Sequence, residues 1–213
     1  MLTIWGRKTS SNVQALMWCV GELDLPYRRH DLGHHFGGLD IDTFKQLNPN
    51  QTIPVLQDGD TPPIWETGAI LRYLAAQYGE GTFWPQDPVQ RAEVDMWAEW
   101  AKINVAMTFT VPVFWRVMRT APSARDETAI SAAASALESR LTIADSKLAQ
   151  SQFISGPDLT LADIQLGHIL FRYYDIGIPR APLKHIRRYY DDLSQRRAFQ
   201  EHVMISYDDL KVT

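Results

Sequence analysis

The chain has 213 residues, of which 45% are hydrophobic and 22% charged, and a formal net charge of −4. These proportions exclude an intrinsically disordered chain or a membrane-spanning bundle, and the mild acidity argues against nucleic acid or an anionic membrane as the main partner. One cysteine excludes a disulfide framework and a Cys-x-x-Cys redox pair.

No stretch is apolar enough to span a bilayer, and Met1 to Lys8 holds too few apolar residues for a signal peptide, so the chain reads as cytoplasmic. Leu2 to Trp5 forms a short strand, and Ser10-Ser11-Asn12 supplies N-cap residues for a helix reaching Leu23. Val13, Leu16, Met17 and Val20 fall at helical spacing in it. Pro26 stops the chain, and Tyr27 to Leu32 reads as a second strand, parallel to the first if the helix is a crossover. A Gly-containing loop over His34 to Gly38 leads to a weak helix at Thr43 to Leu47. Val55 to Gln57 and Ile64-Trp65 form a hairpin about Asp58-Gly59, and a helix runs from Thr67 to Tyr78. The order βαβ–α–ββα is that of a thioredoxin-like domain over residues 1–79. Residues 80–87, with two glycines and Pro85, form a linker.

Strand signals stop after Pro88, and residues 88–213 read as an all-helical bundle. Ala92 to Arg119 is amphipathic, with a kink expected at Pro112. Ile130, Ala134, Leu137, Leu141, Ala144 and Leu148 make a seam for antiparallel packing. Thr160 and Asp163 form a capping box for a helix expected to reach Tyr174, which assigns Asp163 to capping ahead of acid catalysis. Two short helices, Leu183 to Leu193 and Arg197 to His202, close the chain.

One stretch gathers unusual chemistry. Ile53-Pro54 stands at the mouth of a strand that must still pair, which makes it a candidate cis bond presenting the Ile53 N–H and C=O outward. Thr67 is placed to cap the following helix, its neighbouring amides form a small anion site, and Glu66 adds a carboxylate beside it. This set suits a small peptide with a free amine and a free carboxylate. Ile53-Pro54-Val55-Leu56, followed by Glu66-Thr67-Gly68-Ala69-Ile70-Leu71-Arg72-Tyr73-Leu74, resembles the glutathione-binding half of the cytosolic glutathione transferases. The whole chain is similar in length and element order to bacterial members related to the theta and beta classes.

That resemblance implies glutathione as co-substrate, a homodimer, and thiolate attack on a small electrophile, halogenated ones included. Ile53 would pair with the cysteinyl unit, Glu66 with the γ-glutamyl amine, and Thr67 with the γ-glutamyl carboxylate. Ser10 stands where theta-like members carry a serine and beta-class members a cysteine; Ser11 and Asn12 are the neighbouring alternatives, and all three also read as plain helix caps. Thr52 replaces the basic residue that many relatives carry before Ile-Pro, leaving Gln51 or His35 to hold the glycyl carboxylate. His34 and His35 are adjacent and are expected to point apart without a third ligand, so no metal is implied. Cys19 reads as a buried inert thiol, and Phe109, Phe114 and Trp115 with Arg116 and Arg119 read as helix core ahead of an electrophile wall. Glu99 and Asn104 are at the spacing to reach a second subunit's glutathione. Two other readings stay open: a glutathione-dependent disulfide-bond oxidoreductase, and a non-catalytic ligand-binding module.

Overall fold

Two period-two segments and a connecting helix start the chain, and they fold as expected of a right-handed crossover. In the computed structural model, which describes residues 1–81 and 83–212, strand β1 is Leu2–Trp5, helix α1 Ser11–Glu22 and strand β2 Tyr27–His30. β1 and β2 pair in parallel. A short helix α2, Asp42–Leu47, precedes β3, Val55–Asp58, and β4, Ile64–Trp65, which form the antiparallel hairpin. The sheet order is β2-β1-β3-β4, a thioredoxin-like arrangement, and α3, Thr67–Tyr78, packs beside α1. Residue 82, in the expected linker, and residue 213, at the end of the expected helical domain, lie outside the described residues.

Helix α4, Pro88–Trp100, runs on without a break through π-helical Ala101–Ala106, α5 at Met107–Phe109, π-helical Thr110–Trp115 and α6 at Arg116–Met118. Pro112, the expected kink site, lies in the second π-helical stretch, whose turn is wider than that of an α-helix. The wider turn relieves the clash between the proline ring and the preceding carbonyls, and Thr110 Oγ1 donates to the Ala106 carbonyl at 2.7 Å. Helix α7, Glu127–Leu148, buries all six residues of the expected seam.

The capping box forms at the start of α8, Leu161–Gly167. The helix expected to reach Tyr174 instead breaks at His168–Ile169, and α9, Leu170–Asp175, follows. Two contacts explain the break. A Cβ on Gly167 would lie 2.6 Å from Leu193 and 2.9 Å from the Trp18 ring, so α8 is pressed tightly onto its neighbours. His168 also turns its Nδ1 back onto the Ile164 carbonyl at 3.0 Å. Helices α10, Lys184–Ser194, and α11, Arg197–His202, complete the bundle.

Every residue from Val13 to Val20 in α1 is buried, because α3 packs on one flank and α8 and α11 on the other. Trp18 meets Phe199 of α11 edge-on at 4.8 Å and donates to Glu22 at 2.8 Å, so its large apolar area is buried with its N–H satisfied. This packing fixes where the N-terminus of α1 points.

Candidate functional site

The Ile53–Pro54 bond is cis. The Ile53 N–H and C=O take no part in the backbone hydrogen bonds found among the described residues. The preceding loop approaches closely: a Cβ on Gly6, whose φ is +150°, would lie 3.2 Å from Ile53 Cβ and 2.5 Å from Val13. Only glycine lets the β1–α1 loop lie against Ile53 in this way. Thr52 is held from behind, where Asn48 Nδ2 donates to its carbonyl at 2.9 Å and its hydroxyl at 3.2 Å. Gln51 is exposed and sits at φ +55°.

Glu66 also has left-handed φ, +69° with ψ 119°, a region that side chains other than glycine seldom occupy. It takes the N-cap position of α3 and makes no side-chain cap bond, which corrects the expectation that Thr67 caps this helix: Thr67 is already its first helical residue. Its side chain is exposed, whereas Thr67 is buried at 3% exposure in the first turn. Two of the five non-glycine residues with positive φ among the described residues, Gln51 and Glu66, are candidate site residues, and such conformations concentrate where ligands are held.

At the start of α1, Ser10 takes the N-cap position without a side-chain cap bond. Simple capping is therefore not what its hydroxyl does. Asn12 Oδ1 accepts a 2.9 Å bond from Lys102 Nζ, in the first π-helical stretch of the long rod. With the carbonyl oxygen engaged, the Asn12 amide nitrogen is left as a donor with no partner among the described residues. Burial lowers the Lys102 pKa, while the carboxylates of Glu66 and Glu99 act against that shift. Lys102 thus joins the α1 start to the Glu66 region. Local sequence patterns give no sign of it.

His34 and His35 face one another, Nδ1 to Nδ1 at 3.1 Å, and Asp209 Oδ2 lies 3.9 Å from His35. This corrects the expectation of adjacent histidines pointing apart without a third group: the φ of +55° at His34 turns both rings to one side. The three groups could ligate a cation, but Arg7 and Arg119 both act on His34, lowering its pKa after the effect of partial burial. Asp209 belongs to a short turn, Asp208–Leu210, that lies over the β1–α1 loop. It accepts from Thr9 Oγ1 at 3.2 Å, and a cleft of about 320 Å³ opens between Lys8, Thr9, His35, Phe36 and the turn. A larger groove of about 710 Å³ lies at the other end of α1, where Arg196–Glu22 and Arg197–Glu201 pair most of its charges.

The remaining candidates separate cleanly. Cys19 is fully buried and its thiol pKa is pushed up by burial and then by Glu22, so it is inert. Asp163 accepts from Ile154 N, Thr160 N, Thr160 Oγ1 and Tyr189 Oη. Burial raises its pKa to about 6 and those donors hold it down, so it is ionised at neutral pH and structural. Phe109 and Phe114 are core; Trp115 is 38% exposed, with Arg119 stacked 4.1 Å from its ring. Arg116 is exposed, Asn104 is half-buried, and Glu99 pairs with Arg72 at 2.5 Å.

Residues 9–77 match the family model of the glutathione S-transferase N-terminal domain, and residues 103–197 that of the C-terminal domain. Glutathione S-transferase GstB of Escherichia coli is 34% identical over 85% of this chain and 88% of its own. The Escherichia coli disulfide-bond oxidoreductase YghU is 36% identical over 58% of this chain and 42% of its own. Among solved structures, a theta class glutathione S-transferase from Xanthomonas axonopodis pv. citri with glutathione bound has a TM-score of 0.90. It is 40% identical, and the match covers 96% of this chain and 98% of that one.

Proposed function

The chain belongs to the glutathione S-transferase family and uses glutathione as its co-substrate, and from that premise we propose how its residues divide the work. The Ile53 N–H and C=O take the cysteinyl backbone as a short strand addition. Glu66 meets the γ-glutamyl amine, and the Thr67 hydroxyl with the first amides of α3 holds the γ-glutamyl carboxylate. Gln51 and His35 hold the glycyl carboxylate. Thr52 shapes that turn through its bonds to Asn48.

A free thiol has a pKa of about 8.5, so little thiolate exists at neutral pH. Ser10, Ser11 and Asn12 stabilise it as donors at a helix N-terminus. The observation that carries this reading is the Lys102–Asn12 bond, which leaves the amide nitrogen as the available end of Asn12. The thiol proton leaves to solvent. The thiolate then forms the bond to the electrophilic carbon, and the leaving group departs with its electron pair.

A second copy of the chain covers the exposed stripe Met96, Ile103, Met107 and Val111 on the rod, which supports a homodimer. Met107→Glu should shift sedimentation toward monomer; an unchanged dimer would move the interface elsewhere. The consumption of reduced glutathione suits a cytoplasmic setting. Disulfide reduction through the bound thiol is the second reading, favoured by the resemblance to YghU.

The deciding measurement is the pKa of bound glutathione, from thiolate absorbance against pH, in wild type and in Ser10→Ala, Ser11→Ala and Asn12→Ala. The expected value lies at least about one unit below that of free thiol and rises in the variant that removes the key donor. Tight binding with an unshifted value would overturn the transferase mechanism and leave a carrier.

A further inference from the structure

Three guanidinium groups converge beside the β1–α1 loop, and one carboxylate, Asp209, acts on two of them. Arg7 comes from the loop itself, Arg119 from the end of the rod, and Arg172 from α9. Arg172 is 3% exposed; its Nη2 donates to the Thr9 carbonyl at 2.8 Å, while its Nε has no partner among the described residues. The Nε atoms of Arg7 and Arg119 are likewise buried and unpartnered. Arg7 reaches toward the glutathione side of the loop, since its Nη1 lies 3.3 Å from the place a Cβ on Gly33 would take. Asp209 is the carboxylate that acts on Arg7 and Arg172, and it acts on His34 as well.

Burial followed by mutual repulsion lowers the pKa values of Arg7 and Arg172; that of Arg172 falls to about 10, so all three stay charged at neutral pH. Three positive charges, with Asp209 acting on two of them, leave an uncompensated field beside the cleft between Thr9, Phe36 and the Asp208–Leu210 turn. Their Nε atoms stay unpartnered among the described residues, and a buried charge with unmet donors is costly, so an anion that meets them is favoured. The same field disfavours a cation at His34, His35 and Asp209.

The walls beside the charges are aromatic. Trp115 and Phe36 are exposed, and Tyr207 packs against Phe114 next to Arg172. Resting on the transferase reading, we infer that the preferred electrophile is a flat aromatic compound carrying a carboxylate or sulfonate, received by Arg7 and Arg119 with Arg172 behind them. Asp209, on the turn tied to the rod by Val212 N to Met118 O at 2.8 Å, holds the place of that group in the free protein. Such a charge-assisted contact adds selectivity as well as affinity.

The test compares chloronitrobenzoate with its methyl ester, which differ in the charge presented to the cluster. In each, glutathione sulfur bonds to the ring carbon and chloride leaves with its electron pair; the thiol proton goes to buffer. Each kcat/KM is divided by the uncatalysed rate with glutathione. The acid should be preferred by about tenfold or more, as expected for one charge-assisted contact. That preference should collapse in Arg119→Gln, return in Arg119→Lys, and fall with added salt. Equal enhancement of acid and ester overturns the inference while leaving the transferase intact. A rise in glutathione KM for both substrates in Arg119→Gln also overturns it, assigning the cluster to glutathione. Failure to convert either compound, or any neutral electrophile, removes the transferase reading and this inference with it.

Discussion

Two helix starts in this molecule are written in nearly the same alphabet and used in opposite ways. At α8, Thr160 and Asp163 satisfy each other's backbone: Thr160 Oγ1 accepts from Ala162 N, and Asp163 accepts four bonds in all. At α1, Ser10 occupies the N-cap without a cap bond, and Asn12 turns to Lys102 instead of to its own backbone. The start of α3 resembles α1, since Glu66 makes no cap bond, whereas α4 and α7 are capped by Asp87 and Asp126. Hydrogen-bonding capacity spent inside the protein stabilises the fold; capacity left unspent is available to a ligand.

Breaking the spent end should give the largest effect. Asp163→Ala leaves four donors without an acceptor in a fully buried place and should cost about 3–5 kcal/mol, read from chemical denaturation. Activity per folded molecule should change little. A loss under about 1 kcal/mol would mean that water replaces the carboxylate.

Breaking the unspent end should do the reverse. Asn12→Ala should lower kcat/KM by about 10- to 100-fold, up to about 2.7 kcal/mol of transition-state stabilisation, with stability changed by less than about 1 kcal/mol. Lys102→Met should lower it by about tenfold and add little on top of Asn12→Ala, since both act through one bond. Full additivity in the double variant would separate the two residues.

A smaller effect is expected at α3. Thr67→Val removes a hydroxyl for which no partner is found among the described residues, so thermal stability should hold while glutathione KM rises about three- to tenfold. A large fall in melting temperature with unchanged KM would reassign Thr67 to the spent class.

The smallest contrast is in pH. Burial lowers the His168 pKa to about 3, with Lys102 adding to it, so the imidazole stays neutral in the fold but takes a proton below about pH 6.5 when unfolded. Stability from this group is therefore present above pH 6.5 and is lost as pH falls toward 3. Asp163 acts in the opposite sense, because its raised value lets the fold take a proton near pH 6 before the unfolded chain does. His168→Gln should make the stability difference between pH 7 and pH 5 smaller than in wild type. An unchanged difference would show that His168 is not the group responsible.

What could be read from the amino acids was what short stretches decide for themselves. The capping box, the six-residue seam of α7 and the cis bond at Ile53–Pro54 depend on neighbours in the chain, and each appears where its pattern put it; the cap of α3 falls on Glu66, one residue before the expected Thr67. The break at His168 was not legible, because it depends on Trp18 and Leu193 pressing against Gly167. Lys102 was missed for the same reason: it stands 90 residues from Asn12, on a turn whose π-helical geometry no propensity announces. The histidine pair was misjudged because its orientation follows from one backbone angle. The three arginines carry no motif, and only the fold brings their charges together.

The turn that crosses the β1–α1 loop also sets a clock for the newly made chain. Thr9 and Asp209 are separated by 200 residues, so translation at about 5–20 residues per second leaves the loop without its carboxylate for about 10–40 s. During that interval the first half has the sequence needed to close its sheet, while Arg7 waits without Asp209 and without the rod or α9 around it. The Thr9–Asp209 contact is therefore among the last to form, and it closes the loop only once the end of the chain has been made.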